Sequence, residues 1–111
     1  MVTLPYPPSV NRYWRNFRGR MVLSKEGRDF KKRVAWLLQD MKPLKGPVWI
    51  TVKAFRPRKI GDLDNILKGA LDSLSGFLYE DDKQITGIYA HRFDDKDNPR
   101  LEVEVRAAPN S

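Results

Sequence analysis

Two acidic groups in this sequence have residue types and spacings that could support chemistry on a phosphate. The first holds Asp62 and Asp64, with Lys68 four residues further on, and the second holds Asp81 and Asp82. Carboxylate oxygens are hard ligands of the kind that Mg²⁺ prefers. A lysine one helical turn beyond Asp64 would lie on the same helix face, where it could stabilise charge developing on a phosphate or orient the attacking water.

The same residues also have structural explanations. Aspartates in the first turn of a helix accept hydrogen bonds from free N–H groups and favour the positive end of the helix dipole. Asp81 and Asp82 would then be turn residues between a helix and a strand. Lys68 would form an ion pair with Asp64. The spacing alone leaves both interpretations open.

Charge is distributed unevenly along the chain. Residues 61–82 hold six acids and one base, a local charge of −5, whereas the remaining residues hold 20 bases and 8 acids, or +12. Like charges repel, so a metal ion, a partner or water should neutralise the acidic stretch. The pI of about 9.9 favours a surface that binds nucleic acid over an ordinary solvated basic surface, because clustered Lys and Arg attract phosphate backbones.

Composition excludes several classes of protein. The 111 residues suit one domain, taken as 1–111, and the 41% of hydrophobic residues is typical of a globular chain rather than a disordered one. No apolar run approaches the ~20 residues that cross a bilayer, and the first residues lack the regions of a signal peptide. The chain has no cysteine and therefore no thiolate metal site. We expect a soluble, cytoplasmic protein with no membrane partner.

Periodicity predicts an α+β fold, a two-layer sandwich in which two helices lie on one face of a small mixed sheet in the order β-α-β-α-β-β. Strands are expected at the start of 2–8 and at 48–55, 85–93 and 100–107; helices are expected at 24–41, with Ser24 as N-cap, and at 62–75. The segment 9–23 is expected to be a loop or a short hairpin that bends at Gly19.

Each predicted helix has one apolar stripe. The first helix is expected to bury Phe30, Val34, Leu37 and Met41, and the second to bury Leu63, Leu67, Ala70, Leu71 and Leu74. If strands 48–55 and 85–93 are neighbours, the loops that carry Asp62 and Asp82 could lie close together. Three carboxylates would then converge on one metal ion.

Three segments resemble the RusA family of Holliday-junction resolvases, small endonucleases of bacteria and their phages and prophages. LPYPPSVNRYWR, at 4–15, resembles the family's opening segment with its Pro-Pro and Asn-Arg elements. DLDNILK, at 62–68, resembles its central acidic motif with the following lysine. YEDDKQI, at 79–85, resembles its second acidic motif, including the glutamine. Gly61 departs from the basic residue or proline that often precedes the first aspartate in the family.

The resemblance implies Mg²⁺-dependent cleavage of four-way DNA junctions by paired symmetric nicks, with Mn²⁺ able to substitute and no small-molecule cofactor. It implies that Asp62, Asp64 and Asp82 are the essential metal-binding carboxylates, that Lys68 is the catalytic lysine and that Asp81 is a candidate assistant. It also implies a homodimer. A two-fold symmetric junction needs two cuts, and one chain has a single candidate site. A phage or prophage origin fits the family.

The polar and basic residues around these motifs are candidates for holding the DNA backbone. They are Asn11, Arg12, Arg15, Arg18, Arg20, Arg56, Arg58 and Lys59. Trp14 or Phe17, which stand among the arginines, could stack on an unpaired base or pack in the core.

Three other functions compete with junction resolution. A non-catalytic basic protein could bind DNA junctions, with its acids serving only to cap a helix and a turn. A related Mg²⁺-dependent nuclease could act on flaps, replication forks or RNA. A protein-interaction subunit could present its acids to a basic partner, although the surrounding positive charge disfavours this.

Overall fold

The computed structural model describes residues 1–57 and 63–109, with only the backbone of residues 10 and 11. The elements are β1 (Val2–Pro5), α1 (Val10–Tyr13), β2 (Trp14–Phe17), β3 (Arg20–Leu23), α2 (Lys25–Leu37), β4 (Val48–Arg56), α3 (Leu63–Leu74), β5 (Ile85–Asp94) and β6 (Arg100–Ala107). A 3₁₀ turn, Asp82–Gln84, precedes β5. The α+β class and the order of the main elements are confirmed, and the segment 9–23 forms a one-turn helix followed by a hairpin.

The main sheet is mixed, with strand order β1-β6-β4-β5. β6 runs antiparallel to both β1 and β4, whereas β4 and β5 run parallel. Because parallel neighbours cannot be joined by a tight turn, the chain crosses over between β4 and β5 through α3. This crossover determines where the acidic residues lie.

The helices cover one face of the sheet. Alternate residues of β4, including Val48, Ile50 and Val52, point to this face and are almost fully buried. Trp49 points to the opposite face and remains 39% exposed. The two-layer arrangement is therefore confirmed. In the part of the chain that the structure describes, no helix is long and apolar enough to cross a membrane.

The buried face of α2 differs from the predicted one at its C-terminal end. Phe30 and Val34 are buried as predicted, but Leu37 is 48% exposed and Met41 is 45% exposed. Leu38, four residues after Val34, occupies the core instead and is 1% exposed. The helix ends at Leu37, and the Met41 N–H bonds to the Leu38 carbonyl oxygen at 3.0 Å in a turn. Met41 therefore leaves the helical register before it could reach the core.

The core face of α3 is also rotated from the predicted stripe. Ala70 and Leu74 are buried as expected, and Ile66 and Ser73 join them. The leucines at 63, 67 and 71 are only partly buried against the edge of the core. Ser73 is accommodated because its hydroxyl donates to the Ala70 carbonyl oxygen at 2.7 Å.

Tyr13 is a wedge between α2 and α3 and is fully buried. A Cβ atom added to Gly27 of α2 would overlap the Tyr13 carbonyl oxygen, and one added to Gly69 of α3 would meet the Tyr13 ring at 3.4 Å. Ser24 accepts the Gly27 N–H at 3.0 Å as the N-cap of α2, and its own N–H bonds to the Tyr13 carbonyl oxygen at 3.0 Å. These contacts attach the β2–β3 hairpin, which begins after Tyr13, to both long helices.

Candidate active site

α3 presents Asp64 and Lys68 on one face, and both residues are exposed. Their four-residue separation places them one turn apart on the helix surface. Asp64 lies in the first turn, where the positive end of the helix dipole favours a carboxylate. Asp62 lies outside the described residues, and its role as a ligand stays a prediction.

Asp82 opens the 3₁₀ turn that leads into β5. The Asp81 carboxylate accepts the Lys83 N–H at 2.9 Å, and the Gln84 side-chain oxygen accepts the Asp81 N–H at 2.8 Å. Asp81 is the N-cap of the turn and forms a reciprocal capping box with Gln84. The Asp81 carboxylate is thus used in the fold of the turn, whereas the neighbouring Asp82 is exposed and has no such capping role.

Gln84 also connects this turn to the segment before β4. Its side-chain amide donates to the Leu44 carbonyl oxygen at 2.8 Å and to the Gly46 carbonyl oxygen at 2.9 Å. Its oxygen accepts the Glu80 N–H at 2.7 Å. The glutamine of the YEDDKQI segment therefore holds the acidic turn in place.

Tyr79 forms a buried wall beside Asp82. It has no exposed surface, and its hydroxyl donates to the Leu71 carbonyl oxygen at 2.7 Å. Burial raises the pKa of Tyr79, and the Asp82 carboxylate beside the hydroxyl and the more distant Asp72 raise it further. Asp82 therefore lies close to the turn of α3 that contains Leu71.

The start of α3, which carries Asp64, and the turn that carries Asp82 lie toward opposite ends of the main sheet. β4 and β5 are neighbours as expected, but they are parallel, so the first residue of β4 pairs with the first of β5 and the last with the last. The chain leaves β4 at one end of the sheet and enters β5 at the other. Within the described part of one chain, Asp64 and Asp82 are therefore not brought together as expected. The loop that carries Asp62 lies outside the described residues, and the ligand roles of the three aspartates stay predictions.

The separation within one chain is too large for a shared metal ion. Leu71, which lies beside Asp82, is seven residues after Asp64, or about 10 Å further along the helix axis. Two oxygen ligands of one Mg²⁺ lie at most about 4 Å apart. Within residues 1–57 and 63–109, no three His, Cys, Asp or Glu side chains form a group that could hold a metal ion. The carboxylates suit Mg²⁺ in their chemistry but do not form its site within the described part of one chain.

Asp72 is a further carboxylate near the site, and the sequence motifs predicted no role for it. It accepts the Tyr13 hydroxyl at 2.7 Å and pairs with the Lys31 ammonium at 3.3 Å. Burial raises the pKa of Tyr13, and this hydrogen bond adds to the effect. The signal in the sequence is the four-residue spacing of Asp64, Lys68 and Asp72, which continues the polar face of α3. Asp72 joins that face to the wedge residue and to α2.

The predicted DNA-contacting residues divide into three groups. Arg12, Arg15, Arg18 and Arg20 are all exposed, on α1 and the β2–β3 hairpin. Arg56 is buried, and its guanidinium bonds to Asp94 at 2.8 and 2.9 Å. Its charge therefore joins the ends of β4 and β5, which argues against the predicted DNA contact. Arg58, Lys59 and the side chain of Asn11 lie outside the described residues.

Known proteins similar to this chain are endodeoxyribonucleases. The sequence model of the family described as endodeoxyribonuclease RusA matches residues 5–106. The chain belongs to the RusA family. The crossover junction endodeoxyribonuclease RusA of Escherichia coli (strain K12) is 36% identical over 115 residues, which cover 98% of this chain and 95% of that protein.

Phages also carry RusA relatives of this chain. The crossover junction endodeoxyribonuclease rusA of Enterobacteria phage HK97 is 39% identical over 108 residues, covering 92% of this chain and 89% of that protein. The protein of the same name from Enterobacteria phage 82 is 35% identical over 115 residues, covering 98% of this chain and 95% of that protein. The similarity spans all three segments that suggested the RusA family, and that resemblance is confirmed.

Proposed function

We propose that this RusA-family chain is a Mg²⁺-dependent endonuclease that resolves four-way DNA junctions by paired symmetric nicks. The observation that carries the proposal is its similarity over nearly the whole chain to crossover junction endodeoxyribonucleases. The exposed Asp64 and Lys68 on one face of α3 support it, because a carboxylate beside a lysine suits hydrolysis of a phosphodiester. The hairpin arginines add a surface that attracts DNA.

Asp62, Asp64 and Asp82 are the proposed ligands of the metal ion, and Mn²⁺ should substitute because it also prefers oxygen ligands. The cation, when bound, would polarise the scissile phosphate and lower the pKa of a water molecule. Lys68, one turn from Asp64, would stabilise the negative charge that develops on the phosphate. Asp81, whose carboxylate caps the 3₁₀ turn, is assigned a structural part in the site.

We further propose that each metal site is shared between two protomers of a C₂ homodimer. The distance of about 10 Å along α3 separates Asp64 from Asp82 in one chain. A two-fold axis perpendicular to α3 and beside it would reverse the direction of the second helix. Asp64 of one protomer would then lie near Asp82 of the partner subunit. Two such sites would form, one for each strand to be cut.

One edge of the molecule suits this dimer. The side of α3 that contacts Tyr13 faces α2, and the other flank carries the half-buried Leu63, Leu67 and Leu71. β5 beside it is the edge strand of the main sheet, and its Ile88 is 45% exposed on the helix-covered face. A long unpaired strand edge readily pairs with another chain. Antiparallel pairing of β5 with its copy would cover the leucine flank as well.

The first experiment is cleavage of an end-labelled four-way junction with Mg²⁺, with Mn²⁺ and with EDTA. Wild type is compared with Asp64→Asn and with Asp40→Asn, which removes the same charge from another exposed residue. We expect paired symmetric nicks that need the metal ion, persist in Asp40→Asn and disappear in Asp64→Asn. Junction binding should survive in Asp64→Asn, because the loss of a carboxylate near phosphates does not weaken their attraction.

Other outcomes would identify the competing functions. Binding without nicking under any divalent ion would favour the non-catalytic junction-binding protein. Flaps, replication forks and RNA should be assayed beside the junction at equal concentration. Faster cutting of one of these would make the chain a different structure-specific nuclease, and co-purification of a stoichiometric basic protein would favour an interaction subunit.

A further inference from the structure

The β2–β3 hairpin carries an exposed aromatic residue that the proposed chemistry does not use. The hairpin is a separate two-stranded sheet, and its strands are joined by a two-residue turn at Arg18 and Gly19, whose φ angles are 52° and 76°. Two successive positive φ angles are typical of a type I′ turn, which matches the twist of the strands and makes a short, well-defined tip. Phe17 is the last residue of β2 and stands directly before this turn.

Phe17 is presented outward between two arginines. It is 47% exposed, and the guanidinium carbons of Arg15 and Arg18 lie 5.3 and 5.2 Å from its ring centroid. Met21, on the other strand, is 65% exposed. Trp14, at the base of the hairpin, differs because it is partly buried and meets the Tyr13 ring edge-on at 5.1 Å. Of the two aromatics that the sequence offered for base stacking, the structure leaves Phe17 available.

The base of the hairpin is fixed to the candidate catalytic helix. Tyr13, immediately before β2, contacts α3 at Gly69 and donates its hydroxyl to Asp72. Asp72 is two turns beyond Asp64 on α3. The position of Phe17 is therefore coupled through a buried residue to the helix that carries the proposed site.

Charge selects nucleic acid as the partner of this tip. Residues 10–25 contain five basic residues and no acidic residue. An exposed aromatic among cations is the combination with which proteins hold unpaired nucleotides, since the ring stacks on a base and the cations hold the backbone. Every base of an intact duplex is already stacked. The branch point of a four-way junction is where bases can be opened at the least cost.

We infer that Phe17 stacks on a base opened at the branch point and thereby helps to distinguish a junction from a duplex. This inference rests on the proposed function, because it takes a branched DNA as the substrate. Arg15 and Arg18 hold the flanking phosphates in either kind of DNA. Phe17 adds affinity only where a base is free to leave its stack.

The test measures binding in EDTA, so that no strand is cut. Wild type, Phe17→Ala, Phe17→Tyr and Trp36→Ala are bound to a junction and to a duplex of the same length. Trp36 is the matched control because it is an aromatic residue of α2 that is 70% exposed. A junction with 2-aminopurine at the base pair that closes the branch point reports loss of stacking as a rise in fluorescence.

We expect Phe17→Ala to lose about tenfold in junction affinity, the size of one base–aromatic stack, with no change in duplex affinity. The fluorescence rise should disappear in Phe17→Ala and remain in Phe17→Tyr and Trp36→Ala. Equal losses of affinity for junction and duplex would overturn the inference, because Phe17 would then only position the neighbouring arginines against phosphates and would not stack on a base. Unchanged behaviour of Phe17→Ala would overturn it as well.

Failure of the stacking inference and failure of the proposed nuclease function would give different results. If wild type nicks junctions with Mg²⁺ but produces no fluorescence rise, only this inference fails. If wild type binds junctions with the fluorescence rise yet never nicks them, the nuclease proposal fails and the stacking of Phe17 stands. Thermal unfolding of each variant checks that the fold is retained.

Discussion

If each metal site joins two protomers, two inactive variants should restore activity to each other. Asp64→Asn and Asp82→Asn each remove a proposed ligand, so a homodimer of either variant has no complete site. In a mixed dimer, one shared site lacks both carboxylates and the other keeps all of them. If every site lay within a single chain, both sites of the mixed dimer would be damaged and no activity would return.

The size of the recovery follows from the geometry and from random pairing. Asp64 lies on α3 and Asp82 lies beside Leu71, about 10 Å further along the axis of that helix, so the two cannot bind one ion that requires them within about 4 Å. Equal amounts of the two variants give mixed dimers as about half of the population, each with one intact site of two. About a quarter of the wild-type sites should therefore return in the mixture, and about half in mixed dimers isolated from it. Because a mixed dimer cuts one strand, the product should be a singly nicked junction rather than two resolved duplexes.

The assay uses mixed dimers isolated through two different tags and an end-labelled junction with Mg²⁺. A mixture of Asp64→Asn with Lys68→Ala is the matched control, since both residues lie on the same face of α3 and each change damages a different one of the two sites. That mixture should stay inactive. Isolated dimers of Asp64→Asn with Asp82→Asn that never nick DNA would refute the shared site and leave the intrachain distance without an explanation.

Three further predictions concern the buried residues that position the site. Gly27→Ala should lower the free energy of unfolding by about 1–3 kcal/mol, because the new Cβ would overlap the Tyr13 carbonyl oxygen. Gly69→Ala is the control and should not lower it, because its Cβ would be in ordinary contact with the Tyr13 ring. Urea unfolding measures both variants. Tyr13→Phe removes the donor to Asp72 and should cost about 1–2 kcal/mol in the same assay. The pKa values of Tyr13 and Tyr79 are raised above the ordinary 10.0 in the folded protein, so the unfolded chain loses these protons at lower pH than the folded protein does. The two neutral tyrosines therefore make their full contribution to the free energy of unfolding below pH 10. Above pH 10 that free energy falls by up to about 1.4 kcal/mol per pH unit for each tyrosine. Urea unfolding between pH 8 and 11 should show this loss, and a slope unchanged in Tyr13→Phe would contradict the assignment.

Much of the fold could be predicted because local patterns agree with the tertiary structure. The alternation of apolar and polar residues in β6 matches its buried and exposed positions. Ser24 was expected to cap α2, and its side chain accepts the Gly27 N–H. The prediction of the buried helix faces was less accurate. Helical spacing alone does not show whether Leu37 or Leu38 continues the apolar stripe near the end of a helix.

The order of strands in the sheet could not be predicted from these patterns, because a strand has the same sequence signature whichever strand lies beside it. Once β4 and β5 are neighbours, the crossover through α3 makes them parallel. The packing of Tyr13 between α2 and α3 could not be predicted from the sequence either. It depends on two glycines of different helices, Gly27 and Gly69, which meet the same residue only after folding.

The parallel pairing of β4 and β5 accounts for the separation of the acidic groups. A helix that returns the chain between parallel strands must run against them, so the residues at its start and after its end lie at opposite ends of the sheet. α3 has 12 residues and is about 18 Å long. A second copy related by a two-fold axis would reverse that direction and bring the two kinds of end together. A nuclease built this way would be inert as a single chain and would complete both sites in one assembly step, which suits a substrate that must be cut on two strands.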